Sequence, residues 1–307
     1  MNSLDKLCPL SQEIIEKYQV RKTRKQKTNF INFLKDKYPE LKVQNGGFAK
    51  NRNLILGDIN KADTIVTAHY DTCAVLPFPN LLLPNNIFLT LLVQVFFVVF
   101  FITLFNISIS LILSAFNVYL KFSFLITETN ISCLLLIFIM MFGKPNKHTM
   151  NDNTSGVITL IETINSYQDE KVAYVFFDNE EYGLLGSAYF SKINKETLKN
   201  KLIINIDCVS DGDNIAIISA KKHFNKNKNK VENTFVSDQK NIIHVDSKKF
   251  YYPSDQLNFK NYMAIAAFNK HKRFGYYVDK IHTAKDLAFD QNNILLIRDS
   301  LIRFFKF

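Results

Sequence analysis

The residues best placed for chemistry lie in five short stretches. "TAHYDT" (67–72) places His69 and Asp71 two apart on what reads as a strand, so both point to one face. An imidazole there is able to bind a metal while the neighbouring carboxylate fixes the ring. "NDNTSG" (151–156) offers Asp152, whose two oxygens are able to bridge two cations, ahead of a tight turn into a helix. "FFDNEEYGLLGS" (176–187) sets Glu180 and Glu181 side by side beyond an apolar strand. Two adjacent carboxylates at a sheet edge repel unless something positive sits between them. One of them ligating a metal while the other moves protons resolves that conflict. "NIDCVSDGD" (205–213) ends another apolar strand at Asp207, and "KIHTAKD" (280–286) supplies His282. Two histidines, two aspartates and a glutamate form an oxygen and nitrogen donor set that suits a pair of zinc ions, with cobalt or manganese as substitutes.

The elements that must hold these residues follow from hydrophobic periodicity. Strands are expected at 53–58, 63–69, 171–181, 201–210 and 214–219. Helices are expected at 28–37 with Thr28 as cap, 155–167, 183–193 and 292–305, and a helix entering a strand at 254–268. Strands alternating with helices predict an α/β fold, a mixed, mostly parallel central sheet flanked by helices.

One segment is foreign to that pattern. From Thr72 to Leu120 no residue is charged, and 87–105 alone makes roughly 28 Å of helix, close to a bilayer's hydrocarbon thickness. A second charge-free run spans Thr129 to Gly143. A segment this long without a polar face has no amphipathic logic as a soluble core. It predicts a transmembrane helical hairpin, about 87–109 and about 122–142, or two helices with a re-entrant piece. The chain then divides into 1–74 and 146–307, which build the catalytic domain, and the insert 75–145. If both flanks build one site, the insert crosses an even number of times. Lys144, Lys147 and the lysine-rich N-terminal region place the polar domain on the cytoplasmic side of a cell membrane, as a multi-pass protein.

The balance of 38 basic to 28 acidic residues, net +10, concentrates at 21–27 and 221–230. These clusters read as solvated surface, with attraction to anionic lipid as another reading. No binding signature accompanies them, so no nucleic-acid partner is expected. Cys8, Cys73, Cys133 and Cys208 form no paired spacing and fit a reducing compartment. The N-terminus has no apolar core of a signal peptide, so none is expected. His148, His223, His244 and His271 are expected at the surface.

In order, "TAHYDT", "NDNTSG", "DNEEYGLLGS", "NIDCVS" and "IHTAKD" resemble the M28 family of zinc aminopeptidases over residues 63–73 and 150–290. The resemblance implies that Asp152 bridges two zinc ions, with His69 and Asp207 completing one site and Glu181 and His282 the other. It implies Glu180 as general base for attack by a zinc-activated water, Asp71 as the partner of His69, and a peptide substrate with a free N-terminus. Two departures stand out. "PSDQ" carries Gln256 where the family usually has histidine, which bears on substrate contacts made there or by Tyr251 and Tyr252. The hydrophobic insert separates His69 from Asp152, which the family keeps close. A glutaminyl-cyclase-like transferase working with one zinc, and a non-catalytic receptor or scaffold, are the competing readings.

Overall fold

The computed structural model describes residues 6–76, 78–116 and 122–307. Two N-terminal helices, α1 (Pro9–Lys17) and α2 (Arg24–Lys37), precede an edge hairpin of β1 (Lys42–Gly46) and β2 (Asn51–Leu56). Helix α2 begins a turn earlier than its apolar spacing suggests. Thr23, not Thr28, is the cap, in a reciprocal capping box with Gln26. Strand β3 (Thr64–His69) then leads into the apolar helices α3 (Ile87–Ala115) and α4 (Phe122–Phe142). After an irregular turn come α5 (Gly156–Ser166), β4 (Val172–Phe177), α6 (Leu185–Ile193), α7 (Lys195–Leu198), β5 (Leu202–Ile206) and β6 (Asn214–Ser219). Helix α8 (Lys221–Thr234), β7 (Asn241–Asp246), β8 (Tyr262–His271), β9 (Gly275–Tyr277) and α9 (Gln291–Lys306) complete the fold.

The strands form one mixed sheet in the order β1-β2-β4-β3-β5-β8-β6-β7, with β9 paired to β8. Its centre is parallel: β3 lies between β4 and β5, and β5 pairs with β8. These strands are buried on both faces, as near-continuous apolar runs such as "VAYVFF" require. Helices α1, α2, α5 and α9 cover one face through a core including Phe30, Leu34, Ile161 and Leu301. Phe190 of α6 packs on Phe177 and Phe259 across the other. The carboxyl ends of β3, β4 and β5 therefore open on one common edge, where open α/β sheets carry their sites.

The segment at 254–268 differs from expectation. Its first part is a single 3-10 turn, Asp255–Asn258, and the rest is strand, because β8 must cross the sheet centre between β5 and β6. The strands expected at 171–181 and 201–210 are shorter, which leaves Glu180, Glu181 and Asp207 on the loops at the edge.

The insert leaves and re-enters through a narrow neck. Ala74 and Pro145 form an antiparallel bridge, Val75 N donates to Lys144 O at 3.0 Å, and Asn146 N donates to Cys73 O at 3.2 Å. Helix α3 is long and apolar enough to cross a membrane, and Leu91, Val95, Phe96, Val99 and Phe100 are exposed along it. Its contact with α4 includes a polar clasp, in which Asn106 Nδ2 donates to Thr129 Oγ1 at 3.1 Å and Ser132 Oγ donates to Asn106 Oδ1 at 2.6 Å. Part of the connection between the two helices, 117–121, lies outside the described residues.

Candidate metal centre

His69 is the last residue of β3, and its ring is buried. Nε2 lies 3.3 Å from Asp152 Oδ1 and 3.5 Å from Asp207 Oδ1, yet among the described residues it makes no hydrogen bond, and neither does Asp207 Oδ1. Its other nitrogen, Nδ1, meets the backbone oxygen of Asp71 at 3.1 Å. The second oxygen of Asp152 faces elsewhere: Oδ2 is 2.9 Å from His282 Nε2, which is also 3.1 Å from Glu181 Oε2. One carboxylate thus joins two separate clusters, each with one imidazole and a second carboxylate. The donor atoms of His69, Asp152 and Asp207 all lie within 4.8 Å of one another, as do those of His69, Glu180 and Glu181.

The turn that presents Asp152 is over-determined. Asp286, from the loop before α9, accepts from Asn151 N at 2.8 Å and Asp152 N at 3.0 Å through its two oxygens. Asn151 Oδ1 accepts from Ser210 N and Asp211 N, and Asn153 Oδ1 accepts from Gly156 N. At Gly156 a Cβ would collide with the Asn153 side chain and the Ile206 carbonyl, so only glycine admits this approach. Arg21, fully buried, reaches Thr154 Oγ1 at 3.3 Å and the carbonyl of Tyr18 at 2.6 Å. Burial brings its guanidinium down to about 10, opposed by the charge of Asp71.

Asp71 does more than accompany His69. Its carboxylate accepts from Glu180 N at 3.0 Å and Glu181 N at 3.2 Å, and stands 3.6 Å from His69 Nδ1. It therefore orients the glutamate pair through their backbone and the imidazole through its ring. Behind them, Lys27 Nζ donates to Asp178 Oδ1 at 2.6 Å and Asn179 Oδ1 at 2.7 Å in a buried pair. The basic cluster at 21–27 is accordingly not a uniformly solvated surface: Arg21, Lys22 and Lys27 are buried, and only Arg24 and Lys25 among its cations face solvent. His148, His223 and His244 are partly buried, which corrects the surface expectation for those three.

The electrostatics describe a site short of positive charge. Burial raises the Glu180 carboxyl well above its usual range; the His69 ring pulls it down, and Glu181 and Asp255 push it further up. Burial also raises Glu181. Burial would raise Asp152 too, but contacts from His282 and His69 hold it below the ordinary range. Both imidazoles are held well above theirs despite burial, His69 by Glu180 and its aspartates, His282 by Glu181 and Asp152. Asp255, buried with no hydrogen bond to either oxygen among the described residues, rises to about 7 through burial, against the pull of His69. Acids this crowded want cations, and the unpaired His69 Nε2, Asp207 Oδ1 and Glu181 Oε1 are donors such cations would use. The residues fit divalent metal ions.

The profile described as Peptidase family M28 matches residues 140–299, just over half of the chain. The chain belongs to peptidase family M28. The LapA aminopeptidase of Legionella pneumophila has a similar fold, with a TM-score of 0.55 and 12% identity over 96% of this chain and 69% of that one. LapB from the same organism gives 0.52 and 11% over 97% and 69%. At such identities the likeness is one of fold. No curated protein sequence matches the chain.

In this M28 chain the departure at Gln256 is absorbed internally. Gln256 is buried, donates to Tyr252 O at 2.6 Å and accepts from Asn205 Nδ2 at 3.0 Å, bracing β5. Tyr252 is a core residue packed on Phe268, with its hydroxyl donating to Asp207 O at 3.4 Å, while Tyr251 is exposed. Asp286, Lys27 and Asp178 are the positioning residues that motif reading did not single out. Asp286, the last residue of "KIHTAKD", and Asp178, the first acid of "FFDNEEYGLLGS", both lie inside the motif stretches.

The insert borders the site through Lys22 and a shared cavity. Lys22 Nζ donates to Met141 O, in the last turn of α4, at 2.6 Å and to Tyr182 OH at 3.2 Å. A cavity of about 220 Å³ lies between that helix end and the metal centre, with Ile137, Met140 and Met141 on one wall and Glu181 and His282 on the other. A larger cleft of about 340 Å³, near Glu40 and Tyr174, has none of the candidate metal-holding residues in its lining.

Proposed function

We propose that this peptidase is a di-zinc aminopeptidase, anchored in a cell membrane by α3 and α4 with its catalytic domain on the cytoplasmic side. The observation that carries the proposal is the Asp152 carboxylate, whose oxygens face His69 and His282 separately. His69 and Asp207 would hold one zinc, Glu181 and His282 the other, with Asp152 shared and cobalt or manganese as substitutes. When bound, such cations lower the pKa of a coordinated water and polarise a carbonyl.

The remaining work belongs to the chain. Glu180, which stands with His69 and Glu181 around the centre, takes the proton of the attacking water and returns it to the leaving amine. A carboxyl raised by burial is a better proton carrier near neutral pH than an exposed one. Asp71 fixes Glu180 and Glu181 by accepting from both backbone amides, and Asp286 fixes Asp152 in the same way. A peptide's first residue enters the cavity against α4, its free N-terminus at the metal centre.

The membrane reading is supported by the exposed apolar length of α3 and by the neck, which returns the chain beside its point of departure. A glutaminyl-cyclase-like transferase and a non-catalytic scaffold remain outcomes of the test. Detergent-purified protein is given peptides with free or acetylated N-termini, with zinc and then with chelator. Release of the first amino acid from free N-termini alone, abolished by chelator, is expected. Cyclisation of N-terminal glutamine without hydrolysis, or no turnover with zinc bound, overturns the reading.

A further inference from the structure

Cys73 leaves β3 at the neck of the insert and is buried, 4% exposed. Its sulfur and the donor atoms of Glu181 and His282 all lie within 4.8 Å of one another. Glu181 also carries a buried oxygen, Oε1, with no hydrogen bond among the described residues, on a side chain only 5% exposed. The sulfur itself receives one weak contact, from Asn146 Nδ2 at 3.9 Å, which leaves lone pairs free. Asn146 is tied in turn to Thr283 O at 2.9 Å and, through its backbone, to Cys73 O, so the loop holds the sulfur beside His282.

We propose that Cys73 is a sulfur donor to the cation held by Asp152, Glu181 and His282. This rests on the two-cation reading above and adds a ligand to it. The thiol gives up its proton to solvent as the cation binds, since the thiolate is the ligand. The two positions then differ in kind. The one at His69 and Asp207 has nitrogen and oxygen donors alone, whereas the one at His282 has nitrogen, oxygen and sulfur. A thiolate selects borderline and soft ions such as Zn²⁺ and Cd²⁺ over Mn²⁺ and Mg²⁺. The second position thereby retains zinc where manganese is abundant, at the end of the site that faces the insert. Cys208 is also buried and follows Asp207, but among the described residues it joins neither cluster of donors, and it serves as the control.

X-ray absorption at the zinc edge of the full chain in detergent reads the ligands without reference to turnover. The wild type is expected to show a sulfur neighbour at roughly 2.3 Å beside nitrogen and oxygen at roughly 2.0–2.2 Å. Cys73→Ser loses the sulfur shell and Cys208→Ser keeps it. Should Cys73→Ser not fold, cobalt-loaded wild type and Cys208→Ser decide the matter, through a near-ultraviolet sulfur-to-cobalt charge-transfer band present in both. Two zinc ions with no sulfur shell, or a shell lost only in Cys208→Ser, overturn the role of Cys73 and leave the two-cation reading standing. A chain that takes up no zinc overturns both.

Discussion

The catalytic edge and the hydrophobic insert are built on opposite terms, although they share a few residues. At the edge, several polar groups are fixed by others from distant parts of the chain. Asp286 holds Asp152, Asp71 holds Glu180 and Glu181, and Lys27 holds Asp178 and Asn179. Among the described residues of the insert little is fixed by long-range polar contact: α3 meets α4 through the Asn106 clasp, and exposed apolar side chains dominate α3. The edge positions atoms for chemistry, while the insert needs only length and apolar surface. The two meet at Lys22, Met141 and the cavity beside Glu181.

Several substitutions sharpen or break that contrast. The largest effect is expected at the edge. Glu180→Gln should lower kcat by about 10²- to 10⁴-fold while zinc content stays at the wild-type level, if the proposed role of the residue is to move a proton and not to hold metal. Steady-state kinetics beside metal analysis check this, and a parallel loss of zinc would make Glu180 a ligand instead. In the insert, Val99→Arg near the middle of α3 should cost about 2.5–3.5 kcal/mol of membrane insertion. Fractionation of expressing cells would then show less protein in the membrane; an unchanged fraction would sever the insert from the bilayer.

Next comes the support of the edge. Asp286→Ala strands the Asn151 and Asp152 amides, at about 1–3 kcal/mol for a buried group left without a partner. Thermal unfolding should show a Tm lower by several degrees, together with weaker zinc retention. The smallest effect lies away from the site. His244 is held down to about 4, from an ordinary 6.5, by burial first and by Lys228 as well, and it meets Ser219 Oγ at 2.9 Å. A depressed folded pKa contributes stability that is present above 6.5 and lost as pH falls toward about 4. The decline in Tm over that window should be shallower in His244→Gln than in wild type.

Much of the edge was legible because its residues end apolar strands. His69 and Asp207 follow "TIVTA" and "LIINI", and the loop after "VAYVFF" presents the glutamate pair. That α3 and α4 are apolar helices was legible from their lack of charge alone. What escaped shares a physical cause, namely that the role depends on contacts far away in sequence. Arg21, Lys22 and Lys27 read as a solvated cluster, and nothing local reveals that the loop after β4, the end of α4 and the Asp152 turn supply acceptors to them. Edge strands such as β1, "KVQNG", are short and polar and show no alternation. Of the helix entering a strand expected at 254–268, the strand is present as β8 and the helix shrinks to the turn Asp255–Asn258, because burial between β5 and β6 outweighs local helical spacing.

The shared carboxylate of Asp152 is the central claim, and the zinc content of detergent-purified protein tests it most directly. After dialysis against metal-free buffer the wild type should retain two zinc ions per chain, and Asp152→Asn should lose zinc from both positions. One zinc in the wild type, or a variant that still holds two, would contradict it.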